Sequence, residues 1–336
     1  MKAIRVCMHG PPDVLECSDI AEPEPQPGEV RVRVRAAGVN FADVLSRMGL
    51  YPDAPHPPFT PGLEVSGEIE KLGEGVSDLK VSQPVMVLIK TGGYAEKVCL
   101  PAAQAVPIPP GMTFEQAAAI PVNYLTAHHM MFYMGNLRRG ERLLIHAAAG
   151  GVGLASLELA QIAGAETFGT ASPSKFDLLR ERGLDHPIDY HTQNFEEEVR
   201  RLTNGEGVDM VFDAVGGESY MKSYRLLRPA GRLMIFGFSA AVSGTKRNVF
   251  KTGAELLKIG RFDPLKMMGA NRAVFGVHLG RLKEDIIRPQ YEVLFHFYAE
   301  GYIRPYIDRT FPLADASHAH QRLQDRKNIG KVLLLP

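Results

Sequence analysis

Residues 143–153, LLIHAAAGGVG, constrain this chain more than any other stretch. A short apolar run enters a tight turn of small residues, and a helical pattern of Leu154, Leu157, Ala160 and Ile162 leaves it. Gly150 would let backbone approach a pyrophosphate with no Cβ in the way. Gly153 would let the new helix pack closely on the strand, while the free N–H groups of that helix face the anion. Ala148 stands where the usual fingerprint has its first glycine, so the weight of the motif comes from its setting.

That setting is an alternation. Strand-like runs at 167–171, 187–190, 208–215 and 232–238 are separated by helical patterns at 174–182, 194–202 and 219–227. Strands joined by crossovers of this length predict a parallel sheet wound with helices on both faces, and the glycine turn then predicts a bound dinucleotide. A site for NAD places Asp or Glu at the end of the second strand, about 20 residues on, to hold the ribose 2′-hydroxyl. Here that strand ends GTASPSK, with Ser172 near the position and Lys175 following, while Glu166 lies at the opposite end. A hydroxyl and an ammonium suit a 2′-phosphate, which points to NADPH. Helix capping by Ser172 or Ser174 would explain the serines but not the missing acid.

The first hundred residues read as β-rich. Val30, Val32 and Val34 alternate with Arg31, Arg33 and Arg35, the pattern of a strand with one solvated face, and further short runs follow at 63–69 and 85–89. Residues 51–61, YPDAPHPPFTP, are too rich in proline for regular structure. Beyond 271 come a strand candidate at 273–278, an amphipathic helix at 286–300, a helix at 315–324 and a last apolar run at 332–335. The expected organisation is an α/β chain in which a β-rich domain, 1–122 with 271–336, receives the wound sheet, 123–270, as an insertion.

Composition excludes several classes. The 336 residues carry 38 basic and 38 acidic side chains, with no basic stripe or tail, which argues against nucleic acid as a partner. The three cysteines, Cys7, Cys17 and Cys99, are too few and too scattered for a disulfide framework, so a cytoplasmic setting is expected. The longest uncharged stretch, 116–137, contains Pro121, Asn123, His128 and His129 and reads as buried protein, not a membrane span. The adjacent histidines, about 100° apart on a helix, make a poor metal pair. No Ser/His/Asp or Cys/His spacing marks a nucleophile.

Longer stretches carry a family resemblance: AAGVNFADVLSRMGLYP (36–52), PFTPGLEVSGEIEKLGEGVSD (58–78), AAAIPVNYLTAHHM (117–130), HAAAGGVG (146–153), GTASPSK (169–175), HPIDYHT (186–192), GTKRN (244–248), NRAVFGVHLG (271–280) and NIGKVLLLP (328–336). The chain resembles the zinc-independent quinone oxidoreductases of the medium-chain dehydrogenase/reductase superfamily. Within that group it is similar to the VAT-1-like branch, particularly in the segment between 243 and 271.

The resemblance implies a GroES-like catalytic domain, a Rossmann domain with the cofactor in the cleft between them, and a homodimer. It places Tyr51 and Asn40 in the catalytic cleft, with Tyr51 also beside the nicotinamide. Gly150, Gly151, Val152 and Gly153 would meet the pyrophosphate, and Ser172, Lys175 and Tyr190 the adenosine phosphate. Phe236, Gly237 and Phe238 would pass the ribose, Phe275, Gly276 and Val277 would line the nicotinamide, and Asn328 would lie near the cofactor. The positions matching the zinc ligands of related alcohol dehydrogenases are Asn40, Leu63 and Val122, poor ligands all, so no metal is expected. Glu64 remains there as a lone acid with a structural role. The implied reaction is hydride transfer from NADPH to a quinone. The rivals are an enone reductase protonating through Tyr51, and a vesicle-associated NADPH-binding protein whose candidate patch is Lys246, Arg247, Lys251, Lys258, Arg261 and Lys266.

Overall fold

The computed structural model describes residues 1–242, 244 and 249–336. Lys246, Arg247 and the side chain of Lys251 therefore lie outside the described residues.

Strands β1 (Lys2–Val6) and β2 (Leu15–Asp19) pair antiparallel. They are followed by β3 (Glu29–Val39), β4 (Glu64–Leu72), β5 (Pro84–Leu88), β6 (Lys97–Pro101) and β7 (Ala105–Pro107). The valines of β3 face a core with Ile4, Val6, Val65 and Val87, as their alternation requires. Arg33 and Arg35 face solvent and pair with Glu70 and Glu68. Arg31 departs from the expected solvated face. It is buried, with Glu24 at 2.9 Å and Glu70 at 2.8 Å, because the 22–24 segment folds back over it.

The wound sheet comprises β8 (Arg142–Ile145), β9 (Glu166–Ala171), β10 (His186–Asp189), β11 (Val208–Asp213), β12 (Leu227–Ile235) and β13 (Ala273–Gly276). All pairings are parallel, in the order β10-β9-β8-β11-β12-β13. The order reverses between β8 and β11, and such a switch point opens a crevice beyond the C-terminal strand ends. Strands β14 (Ile307–Pro312) and β15 (Lys331–Leu335) then return to the antiparallel sheet, in the order β14-β15-β3-β4-β5-β7 with β6 on β3. The chain's end thus adds two strands to the β-rich sheet.

One expectation is corrected. The strand at 273–276 hydrogen-bonds to β12, Ile235 against Gly276, and is the sixth strand of the parallel sheet. A boundary at 271 assigns it to the wrong sheet. The stretch 116–137 is helical with wide π turns at Ile120–Tyr124 and His129–Met134, and it is buried for most of its length. His128 and His129 both reach the Gln290 side chain, at 3.1 and 3.3 Å, which pins this stretch to the helix Glu284–Ala299.

Candidate active site

The glycine turn sits at the C-terminal end of β8, at the switch point. Ala147 takes a left-handed conformation (φ 53°), and its N–H donates to Thr170 Oγ1 at 3.2 Å. Gly150 is extended and caps the helix Gly151–Ala163. A Cβ on Gly153 would stand 2.3 Å from the Ala148 carbonyl oxygen, so this glycine sets the packing of helix against turn. A Cβ on Gly150 would meet only the Ala147 oxygen, at 3.2 Å, leaving that backbone open to a ligand. Gly151 is closed off by the Asn123 side chain, 2.3 Å from where its Cβ would be, while Val152 packs against the core. Gly330 donates its N–H to the Ala149 oxygen at 2.8 Å, tying the chain's C-terminal segment to the turn.

Beneath the turn lies a network that sequence spacing did not reveal. His146 Nδ1 lies 3.2 Å from Thr170 Oγ1, and Nε2 lies 3.0 Å from Ser223 Oγ, which itself donates to Asp213 at 2.8 Å. All four side chains are buried, and burial pushes the His146 pKa down. With its hydroxyl spent on Asp213 and no access to solvent, Ser223 is a brace for the strand ends and not a nucleophile.

At the end of β9, Ser172 occupies the head of the helical turn Pro173–Lys175 but makes no side-chain cap. Its hydroxyl instead meets the Tyr190 hydroxyl at 3.1 Å and His191 Nε2 at 3.2 Å. The Lys175 ammonium donates to the carbonyls of Arg326 and Asn328, both at 2.7 Å, and partial burial lowers its pKa. The Arg326 guanidinium stands 5.8 Å from the Tyr190 ring centre. Asn328 turns its amide to the Gly330 oxygen at 3.1 Å. Ser172, Lys175, Tyr190 and Asn328 are thus brought together, and His191 and Arg326, missed in the sequence, join them.

Along the remaining strand ends, Phe236 packs edge-on to Phe212. The Gly237 carbonyl accepts from the Tyr220 hydroxyl, and Phe238 covers Gly216. Beside them, the Val277 N–H donates to the Ile235 oxygen at 2.9 Å, while a Cβ on Gly276 would meet nothing within 4 Å. Phe275 packs on the core. Tyr51 reaches this same edge from the antiparallel unit, its hydroxyl 2.8 Å from His278 Nε2. Its pKa is raised by burial and by the Asp53 carboxylate.

Asn40 lies deeper, and its amide is fully engaged. Nδ2 donates to Glu64 Oε1 at 2.8 Å, and Oδ1 accepts from Lys331 Nζ at 2.8 Å. Lys331 also donates to Glu64 Oε1, and Glu64 Oε2 accepts the Val122 N–H at 2.7 Å. Of the positions expected to match metal ligands, Leu63 and Val122 offer no donor side chain. The third is bonded to an ammonium that already supplies a positive charge. These residues do not fit a metal ion, and among the described residues no group of three His, Cys, Asp or Glu side chains converges elsewhere.

Residues 26–110 match the family described as alcohol dehydrogenase GroES-like domain, and residues 182–334 the one described as zinc-binding dehydrogenase. The rat synaptic vesicle membrane protein VAT-1 homolog is 43% identical over 96% of this chain and 80% of its own length. A quinone oxidoreductase of Pseudomonas aeruginosa is 36% identical over 100% of this chain and 99% of its own. This chain belongs to the medium-chain dehydrogenase/reductase superfamily, in its quinone oxidoreductase and VAT-1 branch. The crystal structure of Escherichia coli quinone oxidoreductase complexed with NADPH superposes with a TM-score of 0.89 at 28% identity, covering 100% of both chains.

As a medium-chain dehydrogenase/reductase, the chain is an NAD(P)-binding protein with a GroES-like sheet joined to a Rossmann sheet. The open backbone at Gly150 and Gly276 leaves room for such a ligand along the strand ends.

Proposed function

We propose that this chain is an NADPH-dependent, metal-independent oxidoreductase that passes hydride to a quinone or a similar conjugated carbonyl. The corner after β9 carries the cofactor choice. No acid lies between Ala171 and Lys175, and Ser172 spends its hydroxyl on Tyr190 and His191 instead of capping. Ser172, Lys175, Tyr190, His191 and Arg326 would hold the 2′-phosphate, and Gly150 through Gly153 the pyrophosphate. Phe236 to Phe238 would follow the ribose, Phe275 to Val277 the nicotinamide, and Asn328 the turn between them. When bound, the nicotinamide supplies the hydride.

The rest is positioning by the protein. With Asn40, Leu63 and Val122 at the positions matched to metal ligands, and the buried Lys331–Glu64 pair against Asn40, carbonyl polarisation by a metal has no support in these side chains. Acceptors that are already electrophilic fit such a site. The GroES-like unit, 1–122 with the segment from β14 onward, supplies Tyr51 beside the acceptor and Asn40 beneath it. Binding titrations with NADPH and NADH, followed by NADPH consumption over a panel of quinones and enones, test this reading. A protein that prefers NADH, or that consumes NADPH with neither class, contradicts it.

One observation favours a second reading, attachment to a membrane surface. Leu256, Leu257, Leu265 and Met268 are exposed on the neighbouring helices Val249–Leu257 and Pro264–Ala270, where Lys258, Arg261 and Lys266 are exposed too. The relative named above as a synaptic vesicle membrane protein shares this reading by its name. Among the described residues no helix is long and apolar enough to cross a membrane. Co-sedimentation with anionic vesicles, lost in a Leu257→Asp/Met268→Asp variant, is the expected result. A chain that stays in the supernatant at low salt contradicts it.

A further inference from the structure

The Tyr51 hydroxyl does not end at solvent. It lies 2.8 Å from His278 Nε2, and the two rings stack with centroids 5.7 Å apart and planes 26° from parallel. His278 follows β13 by two residues, so a loop of the antiparallel unit meets a strand end of the parallel sheet through this pair. Asp53 Oδ2 lies 3.4 Å from the same imidazole nitrogen, and Asp53 Oδ1 accepts from Arg281 at 2.5 Å. Among the described residues, the titratable and charged groups facing His278 are Tyr51 and Asp53 of the 51–61 loop, with Arg281 of its own turn behind Asp53.

Resting on the reading that a conjugated carbonyl is reduced in this cleft, we propose that His278 supplies the proton that Tyr51 delivers, with Asp53 holding the imidazole in place. Such a reduction adds one hydride and one proton. The hydride carries the electron pair to the β carbon of an enone. The Tyr51 O–H bond then breaks as the new C–H bond forms at the α carbon, leaving a phenolate. Burial and the Asp53 carboxylate both disfavour that phenolate. Imidazolium Nε2–H, at hydrogen-bond distance, returns a proton to the phenolate oxygen. The neutral imidazole, with 37% of its side chain exposed, recovers a proton from water. Asp53 stands beside that imidazole nitrogen, and Arg281 fixes the orientation of the carboxylate. A quinone becomes a much weaker base once it has accepted hydride, so it needs the relay far less than an enone does.

The test begins without turnover. In the full chain labelled with ¹⁵N-histidine, the His278 pKa should move when Tyr51→Phe removes the hydroxyl, and should fall in Asp53→Asn. Wild-type kcat/KM for an enone should then drop as pH rises through the measured His278 value. His278→Gln should lose about 10²-fold on enones near pH 6, flatten that limb and spare quinones, with the NADPH dissociation constant within about twofold of wild type. Asp53→Asn, which keeps the imidazole, should shift limb and NMR value together to lower pH. A His278→Gln reductase that keeps the wild-type limb overturns this proposal alone, as does a His278 pKa indifferent to Tyr51→Phe. A wild type inert toward every quinone and enone overturns the reduction reading and this proposal together.

Discussion

Lys331 Nζ donates to Asn40 Oδ1 across 2.8 Å, and both side chains are buried. With Glu64 as the third member, an ammonium, an amide and a carboxylate satisfy one another where β15 lies beside β3 and β3 beside β4. Removing one charge from a buried pair leaves the other without compensation, at a cost of about 3–5 kcal/mol. Lys331→Met should therefore lose stability on that scale in urea unfolding. Lys331→Met/Glu64→Gln, which removes both charges, should recover much of it. Equal losses in the single and double variants would show that the pair is not the source of the effect.

The same geometry predicts indifference to metal. Prolonged chelation should leave the melting temperature and quinone reduction unchanged, and added zinc should not raise the melting temperature. Tight stoichiometric zinc that activity requires would contradict the donor set formed by Asn40, Leu63 and Val122.

Gly150 and Gly153 should respond oppositely to the same added methyl group. At Gly153 the Cβ would strike the Ala148 carbonyl at 2.3 Å, and backbone cannot yield cheaply there. Gly153→Ala should lower stability by about 1–3 kcal/mol. At Gly150 the only close atom is 3.2 Å away, so Gly150→Ala should keep its melting temperature while weakening dinucleotide binding. Calorimetry and binding titration separate the two. Unchanged affinity in Gly150→Ala would mean that the pyrophosphate does not approach this backbone.

Local pattern made much of this legible. Alternation in β3, the small-residue turn after β8 and the Ser–Pro–Ser–Lys corner are all written within a few residues of one another. Pairing partners are not. Ala273–Gly276 reads as a strand in isolation, yet nothing local says that it adds to β12 across the intervening helices. The Tyr51–His278 and Asn40–Lys331 contacts span 227 and 291 residues, beyond any motif window. A signal did exist for Lys331, a lone charge inside the apolar run KVLLL that a buried strand face must neutralise. The burial of Arg31 escaped period-2 reasoning because the covering chain, Glu22, Pro23 and Glu24, has no apolar periodicity to announce itself.

Asp43 links the site to pH. Its carboxyl is buried, accepting from the Asn40 N–H at 2.9 Å, the Tyr94 hydroxyl at 3.0 Å and the Gly62 N–H at 3.2 Å. Burial outweighs these bonds and pushes its pKa up from 3.8 to about 7. A raised value means that the folded chain binds the proton more tightly than the unfolded one. The stabilisation is complete below the unfolded value of 3.8 and is lost as pH rises toward about 7. Wild-type stability minus that of Asp43→Asn should therefore fall with pH between about 4 and 7 and level off above, with a slope of at most about 1.4 kcal/mol per pH unit. Parallel stability curves for the two proteins across that window would contradict the assignment.

Cofactor choice is open to a sharper test because two residues of one corner should fail differently. The Ser172 hydroxyl bonds only to side chains, those of Tyr190 and His191, so Ser172→Asp removes no hydrogen bond to backbone. The new carboxylate repels a 2′-phosphate and accepts from a 2′-hydroxyl, and should reverse an NADPH preference toward NADH. Lys175 is less clean. Its ammonium bonds the carbonyls of Arg326 and Asn328, and Asn328 in turn bonds Gly330, which is tied to the glycine turn. A hydrogen bond to a charged group contributes roughly 1.5–3 kcal/mol, so Lys175→Ala should weaken NADPH about ten- to a hundredfold. The loosened segment should also weaken NADH, by a smaller factor, since that strut serves either cofactor. Fluorescence titration of both nucleotides against both variants is sufficient. Equal losses for NADPH and NADH in Lys175→Ala would make the lysine a strut alone, and an unchanged preference in Ser172→Asp would remove the corner from cofactor selection.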